Sequence, residues 1–468
     1  MIPLAFIVLT CFVSFFVTLR RGPGATFSYV LLPVTLLLFT VTALEIQKLP
    51  DVTTVAAVSY GTLAGLIVRG WKPPFRLSLI DLLVVTLAAL RVVSGTVNGQ
   101  LWTGVSLIGQ QVLMVLTPYV LARTAFIDRY YRGQSAKVLI GLALLLLPAA
   151  MIEWRLRPLF YARAILEPLD LTNVNWELVQ HRYGFFRAQV SFCHPIDLGN
   201  GAALLAVLIV VLSTASGWRL KDKWVAAGIA AALIMSLTSM SFTSFVAVGA
   251  IGVLYVLLRW VPRSEILLLP IAVASIIGYG MLTKHFVDTE PERVVWQYDE
   301  QEDSHSGSLY IRHLIVYNTW GGSRGTRDAG LLGYGEDHFD PMRSYGLLSI
   351  DNSYVVFVLE NGWGYLGLFL LIALLVTAQS TIALMRVPPG TSRIPLAAAT
   401  AGLIGTMFGM YTVFFGFVYA QLFWLLLGLT ASLLREVAEK TGKAAPVQLE
   451  ANREAEAEHR REGLGAFA

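Results

Sequence analysis

Charge is what this chain has least of. Of its 468 residues only 14% are Asp, Glu, Lys or Arg, against 56% hydrophobic residues. A soluble domain carries about 25% charged and about 45–50% apolar residues, so a chain built around a soluble catalytic domain is excluded. Cysteine is rarer still: Cys11 falls in the first apolar run and Cys193 in a loop, which make neither a disulfide framework nor a zinc site. The net charge of +4 is too small to argue for a nucleic-acid partner. The N-terminus lacks both a basic leader region and a small-residue cleavage site, so the first apolar run is expected to be a retained span, with Arg20 and Arg21 held inside. No repeat appears at a solenoid period, and no matched pair of interrupted helices of the kind transporters carry.

What the chain does have is long apolar runs, nearly free of charge. They are continuous rather than alternating, and long enough to span a hydrocarbon core of about 30 Å, so they are helices and not barrel strands. Candidate spans are 2–19, 26–45, 52–69, 78–96, 104–122, 137–153, 198–215, 223–238, 241–258, 264–283, 353–379, 394–412 and 417–434. The expected fold is an all-α polytopic integral membrane protein of about 12–13 transmembrane helices, with a large extracytoplasmic loop containing short helices. Short loops rich in Lys and Arg fall on every second connection and mark the cytoplasmic face. Among them are Arg69, Lys72 and Arg76; Arg123, Arg129, Arg132 and Lys137; and Arg219, Lys221 and Lys223. The N-terminus is then outside and the C-terminus cytoplasmic.

This divides the chain into N-terminal spans (1–154), a first outer loop (155–197), central spans (198–283), a large outer loop (284–352), C-terminal spans (353–434) and a charged tail (435–468). The large loop opens with an acidic run from Asp288 to Asp303 that matches no calcium-loop spacing and reads as a solvated face. SLYIRHLIVYNTW follows, with a helical stripe of apolar residues beside Arg312 and His313, and then a glycine turn at Gly333 and Gly335.

Three groups of residues are candidates for chemistry. Arg182 and Arg187 precede His194 and Pro195 in the first outer loop. A guanidinium suits a pair of phosphate oxygens and never loses its charge, although Arg182 reads more simply as a loop anchor. His194 is either a proton acceptor, a cap on the next helix, or, with Cys193, half of a metal or thiol–imidazole site for which further ligands are lacking. Where the large loop returns to the membrane, Asp351, Asn352, Ser353 and Tyr354 lead into Glu360, Asn361 and Gly362. Asp351 reads equally as a helix cap and as a chemical group. Glu360 lies two turns into an apolar run, where an ionisable group faces a cavity or a partner, and Gly362 leaves room for a helix or a lipid chain.

These two windows resemble the superfamily of bacterial O-antigen ligases and O-antigen or exopolysaccharide polymerases. The likeness rests on Asp351-Asn352-Ser353-Tyr354 followed by Glu360-Asn361-Gly362, on the turn Gly330 to Gly335 with Arg312 before it, and on Arg187 before His194-Pro195. The family's His-Asn-x-Tyr reads Asp-Asn-Ser-Tyr here, and the proline of its glycine turn is missing. Asp351 in place of histidine points to a polymerase, or to Asp351 as a substitute base. The resemblance implies transfer from an undecaprenyl-diphosphate-linked oligosaccharide donor to a glycan acceptor at the periplasmic face of the inner membrane, without cofactor or metal. It implies Asp351, Arg187 and Arg312 as catalytic residues. Substrate contacts would come from His194, Asn352, Tyr354, Glu360, Gly333, Gly335 and Arg182. A chain-length regulator and export machinery would be further partners. A transporter or flippase would carry charges along a mid-membrane path, whereas Glu45, Asp81, Arg91 and Asp197 are expected mostly at span ends.

Overall fold

We obtained a computed structural model of the chain, and the structure describes residues 2–38, 43–44, 52–99, 101–169, 181–182, 184–192, 194–261, 263–267, 270, 326–335, 352–387, 393–410 and 418–440. Helices dominate these residues. We label them α1 (Ile2–Arg21), α2 (Pro23–Leu38), α3 (Thr54–Val68), α4 (Leu79–Asn98), α5 (Trp102–Ile127), α6 (Arg129–Arg155), α7 (Pro195–Ala215), α8 (Lys223–Thr238), α9 (Phe242–Trp260), α10 (Ser353–Arg386), α11 (Ile394–Met410) and α12 (Val418–Lys440). Eight of them are long and apolar enough to cross a membrane, and α2, α3, α8 and α11 are shorter apolar helices. The molecule is therefore an all-α polytopic membrane protein. Most of the expected span at 264–283, most of the large loop, Cys193, Arg312 and Asp351 lie outside the described residues.

The helices are apolar on every face, as buried or lipid-facing helices are. α7 and α12 form the centre of the bundle, while α1 and α9 turn Leu9, Phe12, Phe16, Val253 and Val256 outward. Small residues set the closest approaches. Gly402 of α11 meets Val207 of α7, and Gly61 of α3 meets the backbone of α1 at Cys11.

Several arginines of the basic connections are not free surface charges. Arg123 is 1% exposed; it is paired with Asp81 of α4, which also accepts from the Tyr119 hydroxyl at 2.7 Å, and it lies 4.0 Å from the Phe75 ring. Arg393 pairs with Glu265 at 2.5 Å, and Arg132 with Glu436 at 3.1 Å. The last contact helps to extend α12 to Lys440, beyond the expected end at Leu434. Arg435–Glu439 and Lys440–Glu436, each four residues apart, line the added turn.

α10 is interrupted. Gly362 has φ 83° and ψ 173°, so two helical stretches meet there at a kink. An interruption inside a membrane leaves backbone groups that must find other partners.

Candidate functional site

Residues 326–335 supply those partners. The nitrogens of Tyr334 and Gly335 donate to the carbonyls of Leu359 (2.7 Å) and Glu360 (3.0 Å), which the break has released. In return the nitrogens of Trp363 and Gly364 donate to the carbonyls of Gly330 (2.9 Å) and Leu331 (3.2 Å). The turn itself needs left-handed backbone at Gly330, Gly333 and Gly335, with φ of 61°, 68° and 82°. α4 closes the third side. Ser94 donates to the Leu332 carbonyl and to that of Glu360 (3.0 Å), and Asn98 donates to the Leu332 carbonyl at 3.1 Å. The space beside Gly362 is thus filled by the Leu331–Leu332 backbone, and not by another helix or a lipid chain as the sequence suggested. Trp363 fastens the turn from its outer edge through its indole N–H to the Thr326 carbonyl, 2.8 Å.

Glu360 stands at this break with a partner system nearby. Arg91 of α4 hydrogen-bonds the Tyr365 side chain, and the charge of Glu360 acts on the same tyrosine. Arg91 lies seven residues before the end of α4, not at a helix end as expected from the sequence.

The loop between α6 and α7 is held by different means. His181–Arg182 pairs antiparallel with Phe185–Phe186, labelled β3 and β4 after the two-residue strands β1 (Ala43–Leu44) and β2 (Val52–Thr53), and Gly184 makes the turn at φ 75°. Phe185 stacks on Trp154 at 4.7 Å. Next to Trp154, the buried Glu153 accepts from the nitrogens of Gln189 (2.8 Å), Val190 (2.7 Å) and Tyr161 (2.9 Å). Arg182 Nη1 donates to the Met240 carbonyl and Arg187 Nε to the Ser239 carbonyl, each at 3.1 Å. Both arginines thus engage the α8–α9 turn, where Met240 is itself left-handed at φ 48°. The anchoring expected of Arg182 lies at the headgroups or in a pair with Glu177 or Asp197, whereas the contact the structure gives it is to the Met240 carbonyl.

His194 caps α7: its Nδ1 accepts from the Ile196 nitrogen at 3.2 Å, ahead of Pro195 at the first helical position. Asn352 caps α10, its Oδ1 accepting from the nitrogens of Tyr354 (3.1 Å) and Val355 (3.2 Å). Asn352 is thus the N-cap of α10, and Asp351, weighed for the same role, lies outside the described residues. Asn352 is 1% exposed, and its Nδ2 has no hydrogen-bond partner among the described residues. The Tyr354 hydroxyl donates to the Met407 carbonyl of α11 at 2.6 Å.

A run of contacts joins these separated windows. Arg187 touches the Ser239 carbonyl, and the Ser239 side chain lies against Gly199 of α7. Asp197 accepts from the Tyr419 nitrogen of α12 at 3.0 Å; the Tyr419 hydroxyl donates to the Thr406 carbonyl of α11 at 2.9 Å; and the next carbonyl, Met407, holds Tyr354. The end of the bundle that carries β3–β4 therefore also carries the starts of α7, α9, α10 and α12. Sequence reasoning missed Ser94, Asn98, Glu153 and Tyr419. The four-residue spacing of Ser94 and Asn98 was a legible signal for one polar stripe on α4.

Among the described residues no group of three or more His, Cys, Asp or Glu side chains comes together to hold a metal. Comparison with family models, curated proteins and solved structures found no match.

Proposed function

We propose that the chain is a polysaccharide polymerase, a glycosyltransferase that joins undecaprenyl-diphosphate-linked oligosaccharide units at the outer face of a bacterial inner membrane. The likeness of the two motif windows suggests the chemistry. The observation that supports it is the run of contacts from Arg187 through Ser239, Gly199, Asp197, Tyr419 and Met407 to Tyr354, which links one described residue of each window.

In this reading the diphosphate is the leaving group. Negative charge grows on it as the anomeric bond breaks, and fixed cations nearby stabilise that transition state. Arg187 and Arg312 supply them. Asp351 accepts the proton of the attacking hydroxyl, and a carboxylate in a dry site has the raised pKa that this needs. Asn352 presents its buried Nδ2 to a sugar oxygen. The prenyl chain lies against the apolar cleft that Phe369, Leu403, Met407, Phe423 and Trp424 wall between α10, α11 and α12. Phe369 packs edge-on against Tyr354, with centroids 6.5 Å apart, so the cleft runs up to the capped start of α10.

The interrupted α10 and the mid-span Arg91 are the features that favour the rival reading, a glycolipid or polyanion transporter. Complementation in a polymerase-deficient strain separates the two. Polymer restored by the wild-type chain, and lost in Arg187→Ala and Arg312→Ala at equal protein levels, supports the polymerase. Full polymer from both variants refutes the role given to the arginines.

A further inference from the structure

The last turn of α1 carries positive charge that no acid answers. Arg20 and Arg21 close the helix, and both are exposed. Phe16 and Val17 lie one turn earlier, so each arginine stands four residues beyond an apolar side chain on the same flank. These four residues line one open recess. Toward the start of α1, Leu9 and Phe12 continue the flank as an exposed apolar stripe. On a helix that crosses a membrane such a stripe faces acyl chains, and the arginines that end it stand at the level of the headgroups.

A third guanidinium is fixed beside them. Arg69, where α3 ends, donates from Nη1 to the carbonyls of Thr18 (3.2 Å) and Leu19 (3.1 Å) of α1. Gly61 and Gly65 of α3 allow that approach, since they lie against the α1 backbone at Cys11 and Phe15. The Tyr131 hydroxyl of α6 donates to the Arg21 carbonyl at 3.1 Å, and the charges of Arg21 and Arg69 both act on this tyrosine. Tyr130 packs edge-on against Tyr131, with centroids 5.1 Å apart, and tyrosines are the residues that membranes gather at headgroup level.

Carbonyls, not carboxylates, receive these contacts, so the positive charge is not neutralised. Among the described residues Arg20, Arg21 and Arg69 enter no ion pair. The carboxylate that acts on Tyr131 is Asp128, and its Oδ1 accepts from the Tyr130 nitrogen at 2.8 Å as the cap of α6. An apolar flank topped by guanidiniums matches an amphiphile with a phosphate head. Arginine forks take phosphate oxygens, and basic pockets between membrane helices hold anionic headgroups. The place is also distinct from the β3–β4 end. It lies at the start of α6 and Trp154 at the other end, about 40 Å away along 27 helical residues.

We propose that Arg20 and Arg21 of α1, with Arg69 of α3, seat the phosphate of an anionic phospholipid whose acyl chain lies along Phe16 and Phe12, and that this lipid fastens the end of α1 to α3.

This inference is independent of the glycosyl-transfer reading, and so is its test. The full chain, purified in detergent, is melted with added phosphatidylglycerol, phosphatidylcholine or soluble glycerol phosphate. A ligand that binds only the folded state raises the melting temperature in a saturable way. We expect a rise of several degrees with phosphatidylglycerol over the other two. It is lost in Arg20→Gln/Arg21→Gln and kept in Arg219→Gln/Lys221→Gln, which removes two exposed charges between α7 and α8. If the first double variant fails to fold, native mass spectrometry decides, with phosphatidylglycerol retained over phosphatidylcholine by the wild type and released by Arg20→Gln alone. Equal rises with the two lipids, an equal rise with soluble glycerol phosphate, or a response kept by Arg20→Gln/Arg21→Gln overturns the site. So does a response lost equally in Arg219→Gln/Lys221→Gln, or equal retention of the two lipids.

Discussion

Gly333 and Gly362 meet backbone to backbone: a Cβ placed on Gly333 would lie 2.6 Å from the Gly362 nitrogen, and one placed on Gly362 would overlap the Leu331 carbonyl. Both residues are left-handed, at φ 68° and 83°. The interruption of α10 and the glycine turn are therefore halves of one structure. Gly333→Ala and Gly362→Ala should each destabilise the protein by at least about 2 kcal/mol, from left-handed strain and the clash together. Because they break the same contact, the double variant should cost less than the sum. Thermal melts of the three purified variants measure this, and full additivity would count against the interlock.

Glu153 holds the loop between α6 and α7 through three backbone nitrogens. Glu153→Gln offers one acceptor oxygen where the carboxylate offers two, and it faces the same donors with an NH₂ group. We expect a loss of about 1–3 kcal/mol, the cost of a buried donor left unpaired. Limited proteolysis should show faster cutting between His181 and Phe192 in the variant. Unchanged protection of that segment would mean that the Trp154–Phe185 stack suffices to hold it.

Asp81 and Arg123 are buried together between α4 and α5, with Tyr119 and Phe75 around them. Removing one partner leaves the other charge uncompensated, at about 3–5 kcal/mol, whereas replacing both by apolar residues of similar volume is close to neutral. Arg123→Met alone should therefore express poorly, and Asp81→Leu combined with Arg123→Met should recover. Folded yield by size-exclusion chromatography reads the difference, and no recovery in the double variant would assign the pair a role beyond stability.

Arg187 is half-buried, and its Nε donates to the Ser239 carbonyl at 3.1 Å. Arg187→Ala should lower stability by about 0.5–1.5 kcal/mol for each hydrogen bond of that kind it removes. If it also binds the departing diphosphate, each lost charge-assisted hydrogen bond is worth about 1.5–3 kcal/mol, or roughly 10- to 200-fold in rate. Arg187→Lys should recover only part of that, because the planar fork is gone. A melting temperature that falls as steeply as the rate would make Arg187 a structural anchor alone.

The membrane character of the chain was legible because it rests on composition and run length, which no tertiary contact alters. Helix identities were legible for the same reason, and α3 differs from its expected span only at the ends. Two features were hidden. The break in α10 depends on partners from residues 330–335, and nothing in the run from Ser353 onward signals it beyond Gly362 itself. The burial of Arg123 and Arg393 was hidden because a positive residue in a short loop reads as a topology signal, whether or not an acid on another helix waits for it. Of the candidate site, His194 and Asn352 were placed near helix starts by their sequence positions, and capping is the role the geometry gives each. Arg312 and Asp351 lie outside the described residues. Asp197 was noted only as a charge at a span end, since its partner on α12, Tyr419, is far away in sequence.

The most direct test of the account is to supply the purified protein, in liposomes, with an undecaprenyl-diphosphate-linked oligosaccharide and to measure the length of the glycan on the lipid. A polymerase gives a ladder of lengthened products, and Arg187→Ala, still folded, loses it. Donor left at its original length by the wild-type protein, or glycan moved to lipid A with no ladder, contradicts the polymerase.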